Sequence, residues 1–167
     1  LRLIPNREII MLAEGSRADH FTAGFNMNFG WDFFGKNKNV FKNNHAASDL
    51  FITSSAEYSS ITSNKQKLRF TSNHDECAWD DTPLGIFGGI QASLSAFVIS
   101  SFMNGVPLIY NGQEVGCNVK LPYFSNSPIN WSTNPNMLIE YKRLINLRNT
   151  HDAIRTGSIN NYSNIDI

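Results

Sequence analysis

The groups best placed to do chemistry lie together near the middle of the chain, in Phe70-Thr71-Ser72-Asn73-His74-Asp75-Glu76. Leu68, Phe70 and Thr71 lead in as apolar, aromatic and β-branched residues; Cys77, Trp79, Asp80, Asp81 and Pro83 lead out as an acidic and aromatic loop. A short strand ending in Asn73-His74-Asp75 presents three hydrogen-bonding side chains, two of them ionisable, at one strand terminus. In parallel α/β folds that terminus is where ligands and catalytic groups gather. Asn and Asp also favour turns for purely local reasons, so on this pattern alone a polar loop stands beside the functional reading.

The elements that must position these residues read as alternating strands and helices. Glu8 to Ala13 is a short, mostly apolar run of the kind buried on both faces in a parallel sheet, and Glu14 sits where it ends. A weaker strand is expected over Phe25 to Phe29, closed by Gly30. Trp31 to Phe34 and Ala46 to Tyr58 have helical character, the second with Asn44 as N-cap, and the Lys- and Asn-rich link Lys36 to Asn44 reads as solvated. Leu68 to Thr71 is the third strand. Gly85 to Met103 follows as one long helix, with Ile86, Phe87, Ile90, Leu94, Phe97 and Val98 at helical spacing. No charge occurs from Thr82 to Gln113, but Ser, Gln and Gly interrupt the run, which falls short of the roughly 18 consecutive apolar residues of a membrane span. It reads as a helix buried against a sheet.

Val106 to Tyr110 is the fourth strand, with Pro107 at its tolerated start. Asn134-Pro135 reads as an N-cap followed by Pro at the first helical position. Met137, Leu138, Tyr141, Leu144 and Ile145 give the final helix its apolar stripe. Glu140 near its start and Lys142, Arg143 and Arg148 towards its end suit the macrodipole. Residues 1–152 therefore form one unit of four strand-helix pairs. A Gly-, Ser- and Asn-rich stretch, 153–167, reads as the start of a β-domain or a tail. An eight-stranded barrel takes about 250 residues, or roughly 31 per unit, so four units need about 125. This is a half-barrel's worth of chain.

Bulk properties narrow the partners. Of 167 residues, 41% are hydrophobic and 17% charged, with 14 basic against 14 acidic. Neutral balance without a basic run argues against nucleic acid or an anionic membrane and suits an uncharged ligand such as a sugar. Cys77 and Cys117 lack metal-ligand spacing; both are expected on loops at the same end of the fold, where a bridge and two free thiols stay open. Compartment is not legible, and the opening Leu1-Arg2-Leu3-Ile4-Pro5 lacks a signal-peptide layout, as expected of a chain beginning in mid-domain. Asp80 and Asp81 fall far short of a calcium cage of six to eight oxygens, so no metal is expected in this segment.

Three stretches together carry a resemblance. Met11-Leu12-Ala13-Glu14-Gly15, then Phe70-x-x-Asn73-His74-Asp75, then Gly105-x-Pro107-x-Ile109-Tyr110-x-Gly112-x-Glu114, in this order and spacing, resemble the α-amylase family of glycoside hydrolases. The likeness runs from about Arg7 to about Gly157. It implies an α/β fold, here a partial (β/α)8 TIM barrel comprising strands five to eight with their helices and the start of a C-terminal β-domain. It also implies a retaining enzyme on α-linked glucans such as starch and maltooligosaccharides. Such hydrolysis needs an acid to protonate the leaving oxygen and a carboxylate nucleophile about 5–5.5 Å away.

The resemblance implies roles residue by residue. Glu14 matches the acid at the end of strand five, although Glu is ordinarily exposed and a surface carboxylate is the plain alternative. Asp75 matches the acid of strand seven that steadies the oxocarbenium-like transition state, a fixed negative charge where positive charge develops. His74 matches the histidine that hydrogen-bonds a substrate hydroxyl, and Asn73 is expected to hold the turn. Trp79, on the loop just after, is the aromatic expected to stack on a sugar; Trp31, Tyr110 and Phe124 read more readily as core. Glu76 is open between subsite and solvated loop, and Glu114 matches a residue supporting the site from behind.

One departure outweighs the matches. The family's nucleophilic aspartate ends strand four, ahead of the acid, in a Gly-x-Arg-x-Asp pattern; that pattern occurs here only as Gly15-Ser16-Arg17-Ala18-Asp19, after Glu14, and no strand end ahead of Glu14 carries it. The segment is therefore expected to be a fragment without hydrolytic activity of its own. Within the resemblance, a transglycosylase, a sucrose-type phosphorylase and a non-catalytic barrel relative with a binding or scaffold role stay open. No cofactor is expected in this segment, a calcium in the parent protein staying open. Exposed half-barrel edges imply self-association.

Overall fold

The structure, a computed structural model, describes residues 7–42, 45–62 and 64–162. Four short strands form one parallel sheet in sequence order: β1 Leu12–Ala13, β2 Met27–Phe29, β3 Gln66–Arg69 and β4 Val106–Pro107. The register pairs Leu12 with Met27, Asn28 with Lys67 and Leu68 with Val106. Parallel neighbours need crossovers, and helices supply each of them. The α/β reading of the sequence agrees with this architecture.

β2 and β4 are shorter than the runs Phe25 to Phe29 and Val106 to Tyr110 that mark them, and β3 lies two residues ahead of the expected Leu68 to Thr71. The expectation of a strand over Glu8 to Ala13, buried on both faces, is corrected: only Leu12–Ala13 pairs, and Ile10 and Leu12 are 70% and 42% exposed. β1 is an edge, with a partner on one side only among the described residues. It is tied to β2 through the Met11 carbonyl, which accepts from the amides of Asn26 and Met27, and through Asn26 Oδ1, which accepts from Met11 N at 2.8 Å.

α1 Asp19–Thr22 is a single turn after β1. α2 runs Trp31–Lys42, so the Lys- and Asn-rich link expected to be solvated is mostly helix. Phe33, Asn37 and Phe41 recur every fourth residue, and the fully buried Asn37 donates to Ala96 O and Ser100 Oγ at 3.2 and 3.1 Å. A polar residue lies inside because both of those acceptors face it. α3 is Ser48–Tyr58; the Asn44 cap expected for it lies outside the described residues.

The long helix expected over Gly85 to Met103 is two. After α4 His74–Trp79, Thr82 Oγ1 caps α5 Pro83–Phe87. Gly88 and Gly89, at φ +85° and +116°, then turn the chain into α6 Ile90–Phe102. Only glycine takes such angles without strain. Among the described residues no helix is long and apolar enough to cross a membrane.

α7 Pro135–Thr150 starts as expected, with Asn134 Oδ1 accepting from Met137 N at 3.0 Å and Pro135 in the first turn. Residues 153–156, set apart as the start of a β-domain or tail, lie in the short helix α8 Asp152–Thr156, and nothing regular follows through Tyr162.

Two apolar clusters hold the helices on the sheet. Phe29, Phe34, Leu68, Phe70, Ile86, Phe87 and Ala96 form one, and Phe97, Met137 and Tyr141 the other. Along β3 and the residue after it, Lys67 and Arg69 alternate with Leu68 and Phe70 and are nevertheless buried. Arg69 is 1% exposed, ion-paired to Glu57, with Ser54 Oγ and Asn104 O accepting from it at 3.2 and 3.1 Å. Its guanidinium lies 4.1 Å over the Phe33 ring. This paired cation locks α2 and α3 to the strand that leads into Asn73-His74-Asp75.

Candidate active site

Two strand ends deliver the ionisable groups. β1 ends at Ala13, and Glu14 follows with its side chain 63% exposed; the Trp31 indole donates to the Glu14 carbonyl at 3.1 Å. Beyond β3, Thr71, Ser72 and Asn73 are buried as the chain leaves the sheet. Asn73 is the extended N-cap of α4, its Oδ1 accepting from Glu76 N at 2.9 Å. This is the turn-holding role expected of it, and it places His74 and Asp75 in the first helical turn.

The two ends converge. His74 Nε2 is 3.0 Å from Glu14 Oε1 and 3.5 Å from Asp75 Oδ1. One ligand atom from each of Glu14, His74 and Asp75 lies within 4.8 Å of the others. Two carboxylates and an imidazole on one exposed surface can accept from and donate to ligand hydroxyls and can move a proton. The same three residues are also close enough to offer three ligands to a cation. Asp80 and Asp81 do not join them: Asp80 pairs with Lys38 at 2.5 Å, and Asp81 Oδ1 accepts from Thr82 N at 2.7 Å. Glu76 pairs with the same lysine at 3.2 Å, so it is neither a free loop residue nor turned to the trio.

The loop after β4 adds a residue that the sequence did not single out. The Tyr123 hydroxyl donates to Asp75 Oδ1 and accepts from Trp79 Nε1 at 2.6 Å. Desolvation, and after it the Asp75 carboxylate, push the Tyr123 hydroxyl above the ordinary tyrosine value, so it keeps its proton. Trp79, Tyr123 and Phe124, with Ala78, Pro122 and Ser125, line an open cavity of about 500 Å³ beside Asp75. Trp79 is 77% exposed. Phe124, which reads as core from sequence, is wholly exposed on this cavity. Trp31 packs against Phe29 and Phe70 instead, at 5.7 and 5.0 Å between ring centroids.

The stretch from Gly105 to Glu114 braces the site from behind. Gln113 Nε2 donates to Thr71 Oγ1 at 3.3 Å and to Tyr141 OH at 3.1 Å, linking β3's exit to α7. Glu114 lies beside Gln113 in the 3-10 turn Gln113–Val115, with its Oε2 buried and unpartnered. Cys77 and Cys117 are free thiols; Cys77 is buried within α4 rather than on a loop, and burial raises its pKa.

No protein-family model matches the chain. Among curated proteins it is similar to α-amylase 2 of Dictyoglomus thermophilum, 27% identical over 105 residues, 56% of this chain and 18% of that protein. Among solved structures it is similar to a maltogenic α-amylase from Thermotoga neapolitana, with a TM-score of 0.74 and 18% identity over 90% of this chain and 34% of that one. The ligand-free cyclic α-maltosyl-(1-->6)-maltose hydrolase of Arthrobacter globiformis gives a TM-score of 0.73 and 19% identity over 89% of this chain and 35% of that one. The chain thus spans about a fifth of the curated relative and about a third of these structures. The α-amylase family of glycoside hydrolases, to which the motifs at Glu14, Phe70–Asp75 and Gly105–Glu114 point, is the family that this chain resembles in sequence and in fold.

Proposed function

We propose that this chain forms part of the catalytic domain of a glycoside hydrolase acting on α-linked glucans, and that its four strands correspond to strands five to eight of a (β/α)8 barrel. The convergence of Glu14, His74 and Asp75 within 4.8 Å at the exits of β1 and β3 is the observation that carries this reading. The unbroken order of the four parallel strands supports the barrel correspondence. The Arthrobacter hydrolase, similar in fold, is also known in complex with maltose.

In this reading the Glu14 carboxyl protonates the leaving glycosidic oxygen, and its carboxylate then deprotonates the incoming water. Asp75 holds negative charge against the oxocarbenium-like transition state and accepts from sugar hydroxyls. His74, between the two acids, hydrogen-bonds a hydroxyl of the same ring. Trp79 offers its exposed face to a neighbouring ring. Retention requires a nucleophilic carboxylate on the opposite face of the sugar, and no strand end ahead of Glu14 carries the Gly-x-Arg-x-Asp pattern that would supply it; the one occurrence, Gly15 to Asp19, runs into α1, where Asp19 pairs with Arg17. The chain by itself accordingly binds maltooligosaccharides without turning them over. The half-barrel's open edge, where Ile10 and Leu12 are exposed, supports self-association, which light scattering at increasing concentration measures.

Calorimetric titration with maltotriose, alongside a reducing-sugar assay, tests the proposal. Binding without turnover, weakened at least tenfold by Asp75→Asn and by His74→Ala, is the expected result. Binding indifferent to both substitutions, or measurable turnover by this chain, contradicts it.

A further inference from the structure

Beside the trio, two aromatic side chains are hydrogen-bonded to Asp75 in series. The Trp79 indole donates to the Tyr123 hydroxyl at 2.6 Å, and that hydroxyl donates onward to Asp75 Oδ1. A phenol has one proton to give, and here it goes to the carboxylate while the oxygen's lone pair takes the indole N–H. Chained in this way, each bond polarises the next. His74 Nε2 approaches the same Oδ1 at 3.5 Å, so the contacts converge on one carboxylate oxygen and leave Oδ2 for a ligand.

The rings themselves make a platform. Tyr123 is 5.8 Å from Trp79, 5.9 Å from Phe124 and 6.2 Å from His74 between centroids. The platform opens on the cavity of about 500 Å³, with Trp79 and Phe124 largely in solvent. Contiguous exposed aromatic surface of this kind marks a binding site rather than packing. Its polar groups stand at one end, where Asp75, His74 and Glu14 lie. The occupant that fits has a flat apolar face for the rings and hydroxyls at one edge for the acids, which is the chemistry of a pyranose.

We propose that Tyr123 is a positioning residue of this site: its hydroxyl fixes the orientation of Asp75 and ties it to the Trp79–Phe124 shelf, so that shelf and carboxylate meet one sugar ring in a common register. The sugar part rests on the proposed function; the link between Asp75 and Trp79 does not.

The full chain labelled with 5-fluorotryptophan gives one ¹⁹F resonance for each of its three tryptophans, and Trp79→Phe assigns that of Trp79. Asp75→Ala should move the Trp79 resonance when Tyr123 is present and leave it unmoved in the Tyr123→Phe background, where both rings remain and the relay is cut. Tyr123→Phe changes an exposed side chain by one hydroxyl, so the fold survives the test. Maltotriose affinity should fall about tenfold in Tyr123→Phe, the weight of one hydrogen bond to a charged group. It should fall no further when Tyr123→Phe is added to Asp75→Ala. An equal Trp79 shift in both backgrounds, or a Tyr123→Phe affinity within twofold of the parent, overturns the positioning role and leaves the glycosidase reading intact. Coupling between Asp75 and Trp79 in a chain that binds no maltotriose upholds the link, while overturning both the sugar register and the glycosidase reading.

Discussion

Removing the carboxylate that faces Arg69 tests how the fold holds the site. Arg69 is buried on β3, a few residues ahead of the Asn73 cap, and Glu57 from α3 is the anion beside its guanidinium. Glu57→Ala leaves that cation in the interior with two neutral acceptors, Ser54 Oγ and Asn104 O, and the faces of Phe33 and Tyr58. The Phe33 amide also loses its acceptor, Glu57 Oε1 at 3.2 Å. Breaking one side of a buried pair costs about 3–5 kcal/mol, and the orphaned amide puts this variant at the upper end. A domain holds only about 5–15 kcal/mol in all. With a urea dependence of about 2 kcal/mol per molar, the unfolding midpoint should fall by roughly 1.5–2.5 M. Removing both charges, Glu57→Leu with Arg69→Met, should recover most of the loss, because no uncompensated ion then remains inside. The remainder is the Phe33 amide without its acceptor, and the Asn104 carbonyl and the Ser54 hydroxyl without their donor. A Glu57→Ala loss below about 1 kcal/mol, the scale of an exposed pair, would mean that water reaches Arg69 and that this pair does not anchor β3.

Asn73→Ala should cost about 1 kcal/mol by urea titration, as loss of an N-cap does, and should weaken maltotriose binding because His74 and Asp75 take their register from that cap; unchanged binding would detach the cap from the site. Gly105→Ala should destabilise by more than 1 kcal/mol, since Gly105 sits at φ +103° and a Cβ there would lie 2.5 Å from the Lys67 carbonyl oxygen. Gly35→Ala, inside α2 with nothing within 4 Å of the added methyl, should instead stabilise by up to about 1 kcal/mol, and equal effects at the two glycines would count against both assignments. The Lys38 hydrogen bond, outweighing burial, holds Asp80 below its usual 3.8. A depressed carboxylate contributes stability that is fully present above pH 3.8 and is lost as pH falls through the lower folded value. Asp80→Asn should therefore cost up to about 1 kcal/mol at neutral pH and progressively less in acid, and a pH-independent loss in urea titrations would refute the pairing.

The strand-helix alternation was legible because parallel strands write themselves as short apolar runs between turn signals. The convergence of the candidate residues was legible in part because Glu14, His74 and Asp75 sit where such runs end. What escaped the reading has identifiable causes. α2 extends through Lys36–Lys42 because Asn37 is a buried polar residue within an apolar spacing, and composition alone marks Lys and Asn as solvated. Apolar periodicity ran straight across Gly88 and Gly89, although two adjacent glycines are themselves a break signal. Glu8 to Ile10 looked like a core strand, yet whether an apolar run is buried depends on a neighbouring strand that local sequence does not specify. Tyr123 lies on an aperiodic loop, and only tertiary structure brings its hydroxyl to Asp75 from 48 residues away. The aromatic pair Tyr123-Phe124 after Pro122 is the one local signal that marks it.

The central claim is that the exits of β1 and β3 bring Glu14, His74 and Asp75 onto a single sugar ring. A crystal structure of this chain with maltotriose tests it most directly. The account predicts one pyranose with hydroxyls within about 3 Å of Asp75 and His74, Glu14 at its glycosidic oxygen and an adjoining face on Trp79. A sugar seated elsewhere, or Glu14 and Asp75 turned apart by more than the width of a ring, would contradict it.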